Sequence, residues 1–222
     1  MSTYRALVAK DLRVELRTWQ SVPAMALLAV GTFVLFRFGL DRTELEGTLA
    51  AGILLVTTLF AGLLAVNRLF VPEREEGGFE TMRLAPVPAA AVFLAKTTVL
   101  FVYLAIFGAI TLAAFAFFFT PDIASLPLLL LVILLFNAAI SVTGAFVSPI
   151  ATNSRSRDLL VPILLIPLLV PAIVAAAQVA GPVFNPSLPA FSSYSGWLIA
   201  AVLYDFVFAA LGLALYDFLL DD

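Results

Sequence analysis

An all-α polytopic membrane bundle is the fold class this chain predicts, on three observations. Of its 222 residues, 63% are hydrophobic and 12% charged, with a mean hydropathy of +1.10, whereas a soluble domain needs about 25% charged residues to cover its surface. Six apolar runs follow one another along the chain, each near the length of about 20 residues at which a helix crosses hydrocarbon with its backbone groups satisfied internally. The connections between the runs are short, so residues 1–222 read as a single transmembrane domain with no inserted soluble one.

The first element precedes the spans. From Tyr4 to Trp19, Leu7, Val8, Leu12 and Leu16 recur at helical spacing, while Arg5, Lys10, Asp11, Arg13, Glu15 and Arg17 supply the charge. This pattern predicts an interfacial helix over 3–20 with Asp11 on the wet face. Its charged region is too long for a cleavable signal peptide. The six runs fall near Val22–Leu40, Thr48–Phe70, Ala91–Phe119, Leu126–Ile150, Leu159–Ala180 and Trp197–Leu220. The third is long enough to tilt or to begin as an interfacial turn. Pro121, Pro127, Pro149, Pro182, Pro186 and Pro189 sit at predicted helix ends, where a missing donor does little harm. Pro162, Pro167 and Pro171 lie inside the fifth run, where they kink the helix or leave carbonyls for a neighbour or water to satisfy. Between the fifth and sixth runs, Phe184, Phe191, Tyr194 and Trp197 read as an aromatic belt at the headgroups.

Basic residues in short loops mark the cytoplasmic side. Arg5, Lys10, Arg13 and Arg17 before the first run, Arg68, Arg74, Arg83 and Lys96 around the second loop, and Arg155 and Arg157 in the fourth make ten, against Arg37 and Arg42 on the other side. Both termini are therefore expected in the cytoplasm, with the chain multi-pass in the plasma membrane.

Several chemistries are excluded by composition. Histidine and cysteine are absent, which removes disulfides, thiol redox chemistry, zinc sites and imidazole catalysis. A phosphate-binding loop needs a Gly-Lys pair, and none occurs. Glu75-Glu76 begins like one intramembrane protease motif, but Glu80 stands where that motif needs arginine. No catalytic, cofactor or metal site is expected. At membrane depth, polar side chains default to functional candidates. Asp205 reads as a hydrated, hydrogen-bonded or protonated carboxyl, with a proton or ion site as the alternative. Asn137, Ser141, Thr143 and Gln178 read as interhelical hydrogen-bond partners. Ala61, Gly62 and Ala65, with Ala209, Ala210 and Gly212, permit close helix contacts and so dimerisation.

The cytoplasmic segment 71–90 carries the densest charge. Glu73, Arg74, Glu75, Glu76, Glu80 and Arg83 lie between two spans, Gly77-Gly78 interrupts the acidic turn, and Phe79, Met82 and Leu84 before Pro86 offer an apolar edge to a groove on a partner. The alternative is a loop whose charges only solvate it and fix topology. On the favoured reading it is a docking surface on the same side as the interfacial helix and the Ser154–Asp158 loop.

Over nearly its whole length the chain resembles a known family. Lys10–Arg17, Gly52-Ile53-Leu54 through Asn67-Arg68-Leu69-Phe70, Glu73–Glu80, Leu84-Ala85-Pro86-Val87 with Lys96, and Arg157–Pro162 with Pro167–Pro171 carry the resemblance. They are similar to the CcmB-type permease of the haem exporter ABC transporter used in c-type cytochrome maturation. The Glu-rich loop followed by a Leu-x-Pro element is shared with other type-2 ABC exporter permeases. The resemblance implies a homodimer of a non-catalytic membrane subunit, an ABC ATPase subunit that holds the ATP, and haem-handling membrane subunits with a haem chaperone. Besides these and membrane lipids, no nucleic acid is expected as a partner. ATP-driven closure would act on the loop around Glu73–Arg83. Lacking histidine and cysteine, the chain cannot supply the usual axial haem ligands, so haem ligation is expected on partners. Two alternatives stay open: another type-2 ABC exporter of lipid, polyketide or drug, and a proton-coupled transporter centred on Asp205.

Overall fold

The computed structural model of the chain describes residues 3–18, 21–39, 47–69, 87–119, 121–152, 157–184 and 191–221. Among these there are seven α-helices, one 3-10 turn and no strand. The helices are α1 (Thr3–Thr18), α2 (Ser21–Gly39), α3 (Gly47–Arg68), α4 (Ala89–Phe119), α5 (Leu126–Thr152), α6 (Arg157–Val183) and α7 (Phe191–Asp221), with the 3-10 turn at Ile123–Ser125. Each of the six apolar runs is therefore helical over most of its described residues. Among the described residues, five regions are long and apolar enough to cross a membrane: Gly47–Arg68, Ala89–Phe119, Ile123–Ile150, Leu159–Val183 and Phe191–Leu219. The apolar part of α2, Pro23–Gly39, is shorter. It measures about 26 Å at a rise of about 1.5 Å per residue, against about 30 Å of hydrocarbon.

Helix α5 is central, packing on α3, α4, α6 and α7. Its core side chains Leu129, Ile133, Phe136, Ile140 and Val147 are buried on several sides. The turn that feeds it is fixed by Asp122, whose Oδ1 accepts from Ala124 N at 3.2 Å and whose carbonyl accepts from Ser125 Oγ at 2.6 Å. Without a hydrophobic driving force between helices in lipid, association depends on close packing and small residues. Gly62, Gly144 and Gly212 supply it inside the chain. An added Cβ would stand 2.8 Å from Ile140 at the first, 2.5 Å from Val66 at the second and 2.1 Å from the Phe93 ring at the third. Ala61 and Ala65 are likewise buried in the core. Gly62 and Gly212, with these two alanines, thus belong to contacts within one copy, where the sequence had suggested contacts between copies.

Two of the prolines expected at helix ends stand just inside them: Pro149 lies in the last turn of α5 and Pro182 in the last turn of α6, which runs from Arg157 to Val183 through Pro162, Pro167 and Pro171. Pro167 and Pro171 share the exposed face of α6 with Leu159, Ile163, Val170 and Val174, so their rings displace no tertiary contact. Phe184 also departs from expectation. Its ring packs on Phe115 at 5.7 Å, joining a cluster in which Phe33 meets Phe115 and Phe119 at 5.6 and 6.0 Å. The aromatic belt loses Phe184 to the bundle, because α6 continues past Ala180 and α7 already begins at Phe191; Pro186 and Pro189 lie outside the described residues.

Candidate functional site

The first turns of α4 meet α1, the end of α3 and the end of α7 at one place. Lys96 lies two turns into α4, and its side chain is only 3% exposed. Its Nζ is 2.9 Å from Asp11 Oδ2 on α1 and donates to the Leu69 carbonyl just beyond α3 at 3.3 Å. Asp11 is 11% exposed, and its other oxygen lies 3.2 Å from the half-exposed Lys10 Nζ. Two turns before Asp11 on α1, the Tyr4 hydroxyl lies 2.9 Å from Thr98 Oγ1 of α4. Burying an ammonium group is costly unless a counter-charge and hydrogen-bond acceptors accompany it; Asp11 supplies the first and Leu69 an acceptor. The Leu69 carbonyl belongs to the C-terminal end of a helix, where the macrodipole favours a cation.

This geometry corrects the sequence reading at Asp11, which faces α4 rather than water, and shows that Lys96, counted from the sequence among the basic flanks of the second loop, is buried in a helix contact. The stripe of α1 that is partly buried runs through Tyr4, Leu7, Asp11 and Val14, while Arg5, Lys10 and Arg13 are exposed. Below the ion pair lies a small apolar cluster of Ala89, Val92, Phe93, Ala145 and Tyr216, with Leu7, Leu69, Val87 and Leu219 packed against it. The Phe93 and Tyr216 rings are 5.1 Å apart. The N-terminal helix, the end of α3, the start of α4 and the end of α7 therefore share one end of the bundle.

Residues 70–86 connect Leu69 to Val87 at that same end. The sequence-predicted coupling residues Glu73, Arg74, Glu75, Glu76, Gly77, Phe79, Glu80, Met82, Arg83, Leu84 and Pro86 all lie outside the described residues, as do the side chains of Glu15 and Arg17.

Within the bundle, the polar candidates separate into two places. Asn137 of α5 is 1% exposed and its Nδ2 donates to the Leu104 carbonyl of α4 at 2.9 Å. Gly108 makes room for it, since a Cβ there would meet Nδ2 at 2.7 Å. Ser141 Oγ donates to the Asn137 carbonyl at 2.6 Å. Elsewhere, Thr143 Oγ1 and the Tyr204 hydroxyl are 2.8 Å apart, and that hydroxyl donates to the Leu168 carbonyl at 3.0 Å. Pro171 leaves the neighbouring Pro167 carbonyl without a helical donor, so Tyr204 anchors α7 in the turn the prolines weaken. Asp205 is half-buried on α7, and its Oδ1 has no hydrogen-bond partner among the described residues. Asn137 and Asp205 thus belong to separate contacts. Gln178 is exposed on α6.

Tyr204 went unnoticed as an anchor because a tyrosine in an apolar run signals nothing by itself. A narrow crevice between α5, α6 and α7 is lined by apolar side chains, among them Phe136, Ala139, Ala172, Ala176 and Ala201.

Fold and composition define the class: an α-helical, multi-pass membrane protein with a buried ion pair at one end of the bundle. The chain belongs to the CcmB protein family, whose model matches residues 2–214. It is similar to Heme exporter protein B of Rhodobacter capsulatus, 29% identical over 166 residues, 74% of this chain and 76% of that protein. Heme exporter protein B of Pseudomonas aeruginosa is 26% identical over 168 residues, 75% of each chain. The protein of the same name from Escherichia coli K12 is 35% identical over 88 residues, 39% of this chain and 40% of its own.

Proposed function

We propose that this chain is the membrane-spanning, non-catalytic permease subunit of a haem exporter serving cytochrome c maturation, working as a homodimer with a separate ABC ATPase. The observation that carries the reading is the family match across residues 2–214, reinforced by relatives named Heme exporter protein B. ATP binding belongs to the partner, since this sequence has no Gly-Lys pair for a phosphate-binding loop. Segment 71–90 receives the work of that partner in the cytoplasm, where the excess of basic residues in its flanks and at the N-terminus would hold it.

Haem ligation belongs to partner subunits and to a haem chaperone. With no histidine or cysteine, methionine is the remaining common ligand, and Met25 is fully buried with its sulfur accepting from the Tyr103 hydroxyl at 3.2 Å. That thioether is engaged in the core. No observation favours the lipid- or drug-exporting alternative.

Purification from membranes in mild detergent, followed by identification of the co-purifying chains, tests the assignment. An ATPase and haem-handling subunits are expected; recovery of this chain with neither overturns it. Glu76→Lys with Glu80→Lys is expected to lose the ATPase while membrane insertion stays unchanged. ATPase retained at the wild-type level would return segment 71–90 to solvated charge.

A further inference from the structure

Both roots of the 70–86 connection meet the same set of contacts. Leu69, at its start, gives its carbonyl to Lys96 at 3.3 Å. Val87, at its end, packs in the cluster formed with Leu7, Phe93 and Tyr216. Lys96 in turn is paired with Asp11 at 2.9 Å. An apolar side chain would fill the same space without the cost of burying a charge. What it could not do is join α1 to the end of α3 through one group that belongs to α4.

We propose that Lys96 is a positioning residue: its ion pair with Asp11 and its bond to Leu69 lock α1, α3 and α4 together at the roots of segment 71–90. Force applied to that segment then reaches α3 and α4 as a unit. The inference rests on the permease reading for the source of that force. The lock itself is a statement about this chain alone.

The chain has no cysteine, so Tyr4→Cys with Thr98→Cys provides a unique pair at a contact that measures 2.9 Å between the native hydroxyls. The rate at which a short bismaleimide joins them in native membranes reads the docking of α1 on α4. In this background Lys96→Met is expected to slow the reaction about tenfold, as loss of a buried ion pair weakens the contact, with the inserted amount unchanged. Asp11→Asn, outside the spans, is expected to do the same, and the double variant to be no slower than either single one.

In the assembled complex, Lys96→Met is expected to keep the ATPase affinity and lose most of the ATP turnover that the permease stimulates. Closing the bismaleimide link in that variant is expected to restore turnover. A purely structural role would lower affinity, turnover and inserted amount together. Cross-linking at the wild-type rate in both single variants overturns the lock; turnover that stays lost with the link closed overturns its role in transmission. Because the cross-linking rate needs no ATPase, a complex that never forms would count against the permease reading alone.

Discussion

Gly212→Ala isolates the role of close packing at the end of α7. The new Cβ would stand 2.1, 2.5 and 2.6 Å from Cζ, Cε2 and Cε1 of Phe93, where carbon atoms ordinarily rest at about 3.5–4.0 Å. The ring must therefore retreat by roughly 1.5 Å. Phe93 and Tyr216 are both fully buried, and their rings lie 5.1 Å apart, so the ring must move inside a packed contact. Overpacking of this kind costs about 1–3 kcal/mol, and alanine returns about 0.8–1.0 kcal/mol of helix propensity. The net expectation is a loss of up to about 2 kcal/mol, which in equilibrium terms approaches thirtyfold. Thermal unfolding in detergent micelles reads it, with Gly52→Ala as control, because a Cβ at Gly52 meets nothing within 4 Å and should be neutral or stabilising. Adding Phe93→Leu to Gly212→Ala should recover part of the loss by removing the ring tip. If Gly212→Ala were as stable as Gly52→Ala, the close approach of α7 to α4 would be refuted.

Asn137→Ala should cost about 0.6–2 kcal/mol, the range for interhelical hydrogen bonds in membranes, in the same unfolding assay; combined with Gly108→Ala it should cost less than the sum, because the alanine Cβ replaces the amide that crowds it. Tyr204→Phe keeps the ring and removes the hydroxyl shared by Thr143 and the Leu168 carbonyl, for an expected loss of about 0.5–1.5 kcal/mol. Asp205→Asn is expected to leave cytochrome c maturation within about twofold of wild type, a change worth about 0.4 kcal/mol. Abolished maturation with the ATPase still bound would instead support proton coupling at Asp205.

The helices were legible because their causes are local. An unbroken apolar run dictates a spanning helix by itself, and α5 begins at Leu126 as expected because Asp122, Ser125 and Pro127 punctuate the chain there. The contacts between helices were not legible. Nothing near Lys96 announces that Asp11 will meet it, and helical periodicity placed Asp11 on the wet face because a carboxylate ordinarily belongs there. Gly62 and Gly212 illustrate the same limit: a small residue permits a close neighbour without saying whether the neighbour is Ile140, Phe93 or a second copy. The short α2 shows where length alone stops deciding, since its Phe33 is fully buried against α4 while its apolar stretch falls below the usual span. The acidic segment was read as a docking surface from its composition and given a partner by resemblance, and its residues 70–86 lie outside the described ones.

The inward face of α7 repeats every fourth residue: Tyr204, Phe208, Gly212 and Tyr216. Four steps of a helix with 3.6 residues per turn overshoot one turn by about 40°, so this seam winds around α7 instead of running straight along it. Its neighbours change accordingly, from α6 and α5 at Tyr204, to Phe146 of α5 at Phe208, to Phe93 of α4 at Gly212 and Tyr216. A helix packed along such a row crosses its neighbours obliquely. α7 is therefore a diagonal brace. It spans the same end of the bundle where Lys96 sits and the middle of the proline-rich helix, and joins them without lying between them.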